Sequence, residues 1–160
     1  RGLGDVYKRQ SIALYGVSMG ASTVMMASGN EQLPDAVKVA VEDCGYTSAW
    51  DEFIFQLDDL FGLPSFPALD AANLVTKLRA GYDLKDADAL AAVKRKKVPM
   101  LFIHGDADDF VPTDMVYPLY KAAAGEKELM IVKGAGHGKS READPLDYWE
   151  KVDTFLEKYI

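Results

Sequence analysis

Ile12-Ala13-Leu14-Tyr15-Gly16-Val17-Ser18-Met19-Gly20 is the stretch on which the fold turns. Ile12 to Val17 is a near-continuous apolar run, the pattern of a parallel strand buried on both faces. Small and unbranched residues follow from Met19 to Ser28, among them Ala21, Met25, Met26 and Ala27, and Gly29-Asn30 supplies a helix stop. A strand that passes at once into a helix leaves the serine at the corner with its hydroxyl aimed out of the sheet. So sharp a turn predicts strained backbone at Ser18 and a need for glycine at both Gly16 and Gly20. The bare G-x-S-x-G pattern arises by chance in roughly one chain in twenty of this composition. Its weight therefore comes from its position between a strand and a helix. A tight turn that uses glycine for packing alone is the plainer alternative.

Outward from this unit the same signature recurs. Val37 to Val41, ending at Glu42-Asp43, reads as a second buried strand, Met100 to Ile103 as a third, and Leu129 to Val132 as a fourth. Thr113 to Ala124 reads as a helix stopped by Gly125, with Pro118 predicting a kink or an irregular start. Asp144-Pro145 caps a last helix, on which Leu146, Trp149, Val152, Phe155, Leu156 and Tyr159 recur every three or four residues and are expected to face the sheet. Alternating strands and helices imply a parallel sheet with right-handed crossovers, an α/β fold of about four strands with flanking helices. Residues 48–95 break the alternation. Phe53, Phe55, Leu57, Leu60, Phe61, Leu63 and Phe66, around Pro64 and Pro67, read as an inserted, mostly helical cap. Residues 1–10 show neither periodicity and are expected to be a non-native leader, leaving 11–160 as the folded domain.

Composition narrows the functions. With 25 acidic against 18 basic residues and a net charge of −7, the chain repels phosphate backbones, so nucleic acid is not an expected partner. Its local basic run, Lys94-Arg95-Lys96-Lys97, is expected to be a solvated helix end whose cations favour the helix dipole. No apolar run is long enough to cross a membrane. The single cysteine, Cys44, forms no intrachain disulfide and no zinc cluster, and acidic neighbours make it a packed side chain rather than a nucleophile.

A serine hydroxyl needs an imidazole to accept its proton, and the imidazole needs a carboxylate to fix its tautomer. The chain has two histidines. His137 lies in the loop Gly134-Ala135-Gly136-His137-Gly138 past the fourth strand, where no core role suggests itself. His104 closes the third strand and opens His104-Gly105-Asp106-Ala107-Asp108-Asp109-Phe110-Val111-Pro112, where a turn-shaping role is expected of it.

The elbow around Ser18, the loop from His104 to Pro112 and the later His137 stand in the order nucleophile, acid, histidine, and in this they resemble the α/β-hydrolase superfamily. The likeness is to its esterase and serine-peptidase-like branches with an inserted cap. It implies that Asp108 is the acid, because the family's H-G-x-x-D-x-x-V-P pattern maps onto His104, Gly105, Asp108, Val111 and Pro112. Asp106 and Asp109 are then turn-shaping neighbours, and Asp43, after the second strand, is a second candidate acid. The resemblance further implies an acyl-enzyme mechanism with Ser18, His137 and Asp108 as triad and the Met19 backbone N–H as oxyanion donor, needing no cofactor and no metal. The expected substrate is a small-molecule ester or a peptide-like carbonyl compound. In this family several strands and a second oxyanion donor precede the nucleophile strand. The 160 residues are accordingly expected to be the C-terminal part of such a fold, with the Ser18 strand left as an edge and with feeble activity alone. Three functions stay open: a carboxylic-ester hydrolase, a serine aminopeptidase or acyl-peptide hydrolase, and a binding domain without catalysis.

Overall fold

A computed structural model of the chain describes residues 11–160; the expected leader, 1–10, lies outside them. The elements are β1 (Ile12–Val17), α1 (Met19–Ser28), β2 (Val37–Asp43), α2 (Ala49–Phe61), α3 (Ala68–Ala80), α4 (Ala89–Val93), β3 (Met100–Gly105), α5 (Val116–Ala122), β4 (Lys127–Val132), α6 (Ser140–Ala143) and α7 (Pro145–Leu156). The four strands form one parallel sheet in the order β1-β2-β3-β4. Alternate residues of each strand feed two cores. Ala40, Met100 and Phe102 pack with Met25, Val93, Val116 and Leu119 beneath α1, α4 and α5. Val39, Val41, Leu101 and Ile103 pack with Tyr148, Val152 and Phe155 of α7 on the other face. Burial on both faces is why these strands are continuously apolar.

Strand β1 pairs with β2 alone among the described residues, and Tyr15 and Val17 are exposed on it, as expected of an edge. Pro118 lies in the first turn of α5, where its missing N–H costs no helix bond, and a 3₁₀ turn at Thr113–Met115 gives the irregular start. Asp144 caps α7 by accepting the Asp147 N–H at 3.3 Å.

Two expectations need correcting. On α7 the buried residues are Tyr148, Val152 and Phe155, whereas Leu146 is 82% and Trp149 42% exposed. Leu156 and Tyr159 pack on that core as expected, and the Tyr148 hydroxyl donates to the buried Asp43 carboxylate at 2.9 Å. The basic run follows the end of α4 with Lys94, Arg95 and Lys97 exposed, as expected, and Lys96 alone departs. Lys96 is buried, its ammonium donating to the carbonyls of Val98 at 3.0 Å and Glu126 at 2.7 Å, and burial pushes it down to about 8. Arg95 donates to Gly29 O and Lys97 to Glu31 O, so the run ties strand ends and helix ends together.

Residues 48–95 are mostly helical. Helices α2 and α3 leave Phe61, Phe66 and Leu78 exposed, whereas Ala89, Ala92 and Val93 of α4 are buried and belong to the main sheet-helix layer. Ser48 caps α2 through the Asp51 N–H at 3.0 Å, and Gly62 ends it in the left-handed conformation.

Glu42 is wholly buried, with one carboxylate oxygen accepting the Gly45 N–H at 3.1 Å and the other without a partner among the described residues. Burial pushes this carboxyl well above its ordinary value. A raised acid holds a proton in the fold that the unfolded chain releases, so its contribution is full below the ordinary carboxylate range and is lost as pH rises through the folded value. Glu42→Gln removes that loss. Thermal melts should show the variant gaining on the wild type between pH 5 and pH 8, by on the order of 1–3 kcal/mol.

Candidate active site

The C-terminal ends of β1, β3 and β4 converge. Ser18 stands between β1 and α1 at φ 56°, ψ −120°, a conformation costly for any residue with a side chain, and its N–H donates to Asp43 O at 2.8 Å. A Cβ on Gly16 would lie 2.2 Å from the Gly20 carbonyl oxygen, so glycine is obligatory there. A Cβ on Gly20 would meet nothing within 4 Å among the described residues, which corrects the expectation that both flanks need glycine. The turn closes on one side only: Gly16 faces the Gly20 backbone, while the hydrogen of Gly20 that a side chain would replace faces outward.

His137 follows β4 in a loop given its path by Gly134 and Gly138, both with positive φ. Its Nε2 accepts the Ser18 hydroxyl proton at 2.8 Å and its Nδ1–H donates to Asp108 Oδ2 at 2.9 Å. Asp108, in the loop after β3, has a fully buried carboxylate. Its Oδ1 accepts the N–H groups of Phe110 at 3.0 Å and Val111 at 2.9 Å. Burial alone would push this carboxyl up. Hydrogen bonds from His104, His137 and the Val111 amide outweigh burial and hold it below its ordinary value. The three residues singled out in the sequence are thus brought into one hydrogen-bonded chain.

His104 is buried away from Ser18, and its Nε2–H donates to the Val111 carbonyl at 3.0 Å with Asp108 Oδ2 at 3.4 Å. Asp43, the other candidate acid, is committed elsewhere, accepting from Ser140 Oγ and Tyr148 Oη, each at 2.9 Å. Asp106 accepts the Gly134 N–H and so joins the two loops. Met19 begins α1, where a backbone N–H has no intrahelical acceptor, and it is well exposed.

Cys44, also at positive φ, is buried beside the triad. Its sulfur and ligand atoms of Asp108 and His137 lie within 4.8 Å of one another. Burial, with the Asp43 charge, pushes the thiol up to about 12. A thiol that stays protonated at neutral pH is a poor ligand and a poor nucleophile.

Three residues that the sequence did not single out for a site role also meet here. Phe110 lays its ring on His137, with centroids 4.8 Å apart. Gln56 Nε2, from α2, donates to the Phe110 carbonyl at 2.6 Å and to Glu52 Oε1 at 2.9 Å. Glu52 is buried, close enough to His137 and Asp108 for their charges to act on it, and its Oε2 has no partner among the described residues. Burial pushes the Glu52 carboxyl up. The visible signal was their spacing: Glu52 and Gln56 sit four apart, one turn on the same face of a cap helix.

The sequence profile of the prolyl oligopeptidase family matches residues 3–160. The chain belongs to the prolyl oligopeptidase family. It is 31% identical over 149 residues to the uncharacterized protein YqkD of Bacillus subtilis (strain 168), covering 93% of this chain and 48% of that protein. The chain therefore spans about half the length of the curated relative it matches. Among solved structures it is similar to the acylaminoacyl peptidase of Pyrococcus horikoshii (TM-score 0.68, 21% identity, 97% of this chain and 24% of that one). It is likewise similar to the Pyrococcus furiosus esterase Pf2001 (TM-score 0.68, 18% identity, 94% and 54%). The esterase domain of a Rhodothermus marinus protein is a third such neighbour (TM-score 0.63, 20% identity, 92% and 60%). These likenesses establish the α/β-hydrolase fold for this member of the prolyl oligopeptidase family.

The elbow yields a paired expectation. Gly16→Ala should cost about 3 kcal/mol or prevent folding, because backbone cannot yield as a side chain can. Gly20→Ala should be neutral or stabilising by up to about 1 kcal/mol, alanine being the better helix former. Denaturant melts of the two variants check this.

Proposed function

We propose that the chain supplies the catalytic triad of a serine hydrolase that cleaves carboxylic esters through an acyl-enzyme. The observation that carries the proposal is the unbroken Ser18–His137–Asp108 hydrogen-bond chain at a strained elbow. His137 Nε2 takes the Ser18 proton as the oxygen adds to the substrate carbonyl. Asp108, held ionised, fixes the Nδ1–H tautomer and stabilises the imidazolium that forms. The Met19 N–H, at the positive end of α1, receives the developing oxyanion. His137 then gives its proton to the departing alcohol, and water repeats the sequence on the acyl-enzyme, releasing the acid.

The apolar cap over this face and the esterases among the structural neighbours support an ester substrate. Membership in a family named for oligopeptidases favours a second reading, cleavage of a peptide-like amide. The second oxyanion donor of this fold comes from a loop preceding the nucleophile strand. Loss of one such donor costs about two to three orders of magnitude in rate. The chain spans about half the length of the curated relative it matches, and the turnover proposed is that of the full-length protein.

The test compares aryl esters with aminoacyl anilides on the full-length protein. Esters should be turned over far faster than anilides, and Ser18→Ala should lower kcat by about a thousandfold or more. Efficient anilide cleavage would move the assignment to a peptidase. A fluorophosphonate that leaves Ser18 unlabelled would reduce the site to a binding pocket.

A further inference from the structure

Gln56 stands one turn beyond Glu52 on α2. Its side-chain nitrogen donates to Glu52 Oε1 at 2.9 Å and to the Phe110 carbonyl at 2.6 Å. Both neighbours are acceptors, so the amide must turn its nitrogen to them, and both of its hydrogens are engaged. Among the described residues, the bond to Phe110 is the one hydrogen bond that α2 or α3 makes outside residues 47–95. The polar tether of the cap helices thus lands on Phe110.

Phe110 is in turn held against the triad. Its N–H donates to Asp108 Oδ1 at 3.0 Å. The peptide that joins it to Val111 is gripped on both sides, its carbonyl by Gln56 and its N–H by the same Asp108 oxygen at 2.9 Å. The two polar groups of a trans peptide point in opposite directions, so the cap and the acid of the triad hold one rigid plane between them. From that plane the Phe110 ring lies on the His137 imidazole, with centroids 4.8 Å apart. Phe110 is 48% exposed, so its place owes more to these backbone bonds than to burial of the ring.

We propose that Gln56 is a positioning residue for the base of the triad. By fixing the Phe110–Val111 peptide it seats the Phe110 ring on His137 and the loop amides on Asp108, and it makes the geometry of the triad depend on where α2 sits. The proposal rests on the serine-hydrolase reading above. Gln56 acts through Phe110 and not on the substrate. His137 serves acylation and deacylation alike, so an imidazole seated less firmly slows both steps and leaves KM little changed. A displacement of about 1 Å at a reacting group is enough to cost up to about a hundredfold in rate.

Kinetics and spectra of the full-length protein test this together. With an aryl acetate, Gln56→Leu should lower kcat about tenfold while KM stays within about twofold of the wild type. Gln56→Glu keeps the shape but turns an oxygen toward two acceptors, and should lose at least as much. A side chain that only fills space would tolerate that change. Phe110→Leu removes the ring and keeps the backbone bonds. Combined with Gln56→Leu it should lose no more than Gln56→Leu alone, because the ring is seated through Gln56. In proton spectra the Phe110 ring current displaces the His137 ring resonances. Gln56→Leu, which alters neither ring, should move them toward their Phe110→Leu positions. Thermal melts show which variants are folded, and where Gln56→Leu is not, the isosteric Gln56→Glu carries the test. Losses that multiply in the double variant, His137 resonances that stay in place, or wild-type kcat in Gln56→Glu overturns the assignment. If a fluorophosphonate leaves Ser18 of the wild type unlabelled, the hydrolase reading falls and the positioning role with it; labelling together with any of those three outcomes sinks the positioning role alone.

Discussion

A buried carboxylate organises this end of the molecule. Asp108 carries a charge out of water, and such a charge is tolerable only when its oxygens are fully engaged. One oxygen binds the Phe110 and Val111 amides, which curls the loop after β3 back on itself. The other binds His137, which arrives from β4. The curl places the Phe110 ring on the imidazole and turns its carbonyl to Gln56 of the cap. Two strand ends and one cap helix are thus located by one ionised group. Removing the His137 partner would leave that charge short of compensation, so the site and its local stability are a single problem.

Strain at Ser18 is the complementary constraint. The hydroxyl reaches His137 because the chain turns from strand to helix within one residue, and that turn exists because Gly16 lets the backbone of Gly20 approach. The cost is met by a well-packed β1–α1 unit, in which Ala21 and Met25 are wholly buried against the sheet. Neighbouring Cys44, just past the end of β2, also has a positive φ.

Much of this was legible because it is local. Buried strands announce themselves as apolar runs, and the elbow, the Asp108 loop and the glycine-flanked His137 are each short enough for spacing to fix them. What escaped was set by tertiary contact. The stripe that α7 buries, Tyr148, Val152 and Phe155, has helical spacing, but the apolar Leu146 and Trp149, which stay exposed, obscure it in the sequence. Lys96 is buried with its ammonium between the carbonyl of Val98, two residues on, and that of distant Glu126, and a run of four basic residues hides that one differs. Gly20 was over-read because a motif names two glycines where the geometry demands one. Glu52 and Gln56 show their mutual contact in their spacing of four, but not that Gln56 also holds the Phe110 carbonyl across the site.

The prolyl oligopeptidase family includes the chain, and the α/β-hydrolase fold orients these loops, yet the hydrolase assignment stands or falls on the proton map of its two histidines. Long-range ¹⁵N–¹H correlation of the ring nitrogens at neutral pH reads that map directly. Opposite tautomers are expected: His137 with its proton on Nδ1, toward Asp108, leaving Nε2 to accept from Ser18, and His104 with its proton on Nε2, toward Val111. A neutral His137 carrying its proton on Nε2 would have nothing with which to accept the serine proton, and would contradict the assignment of His137 as the base.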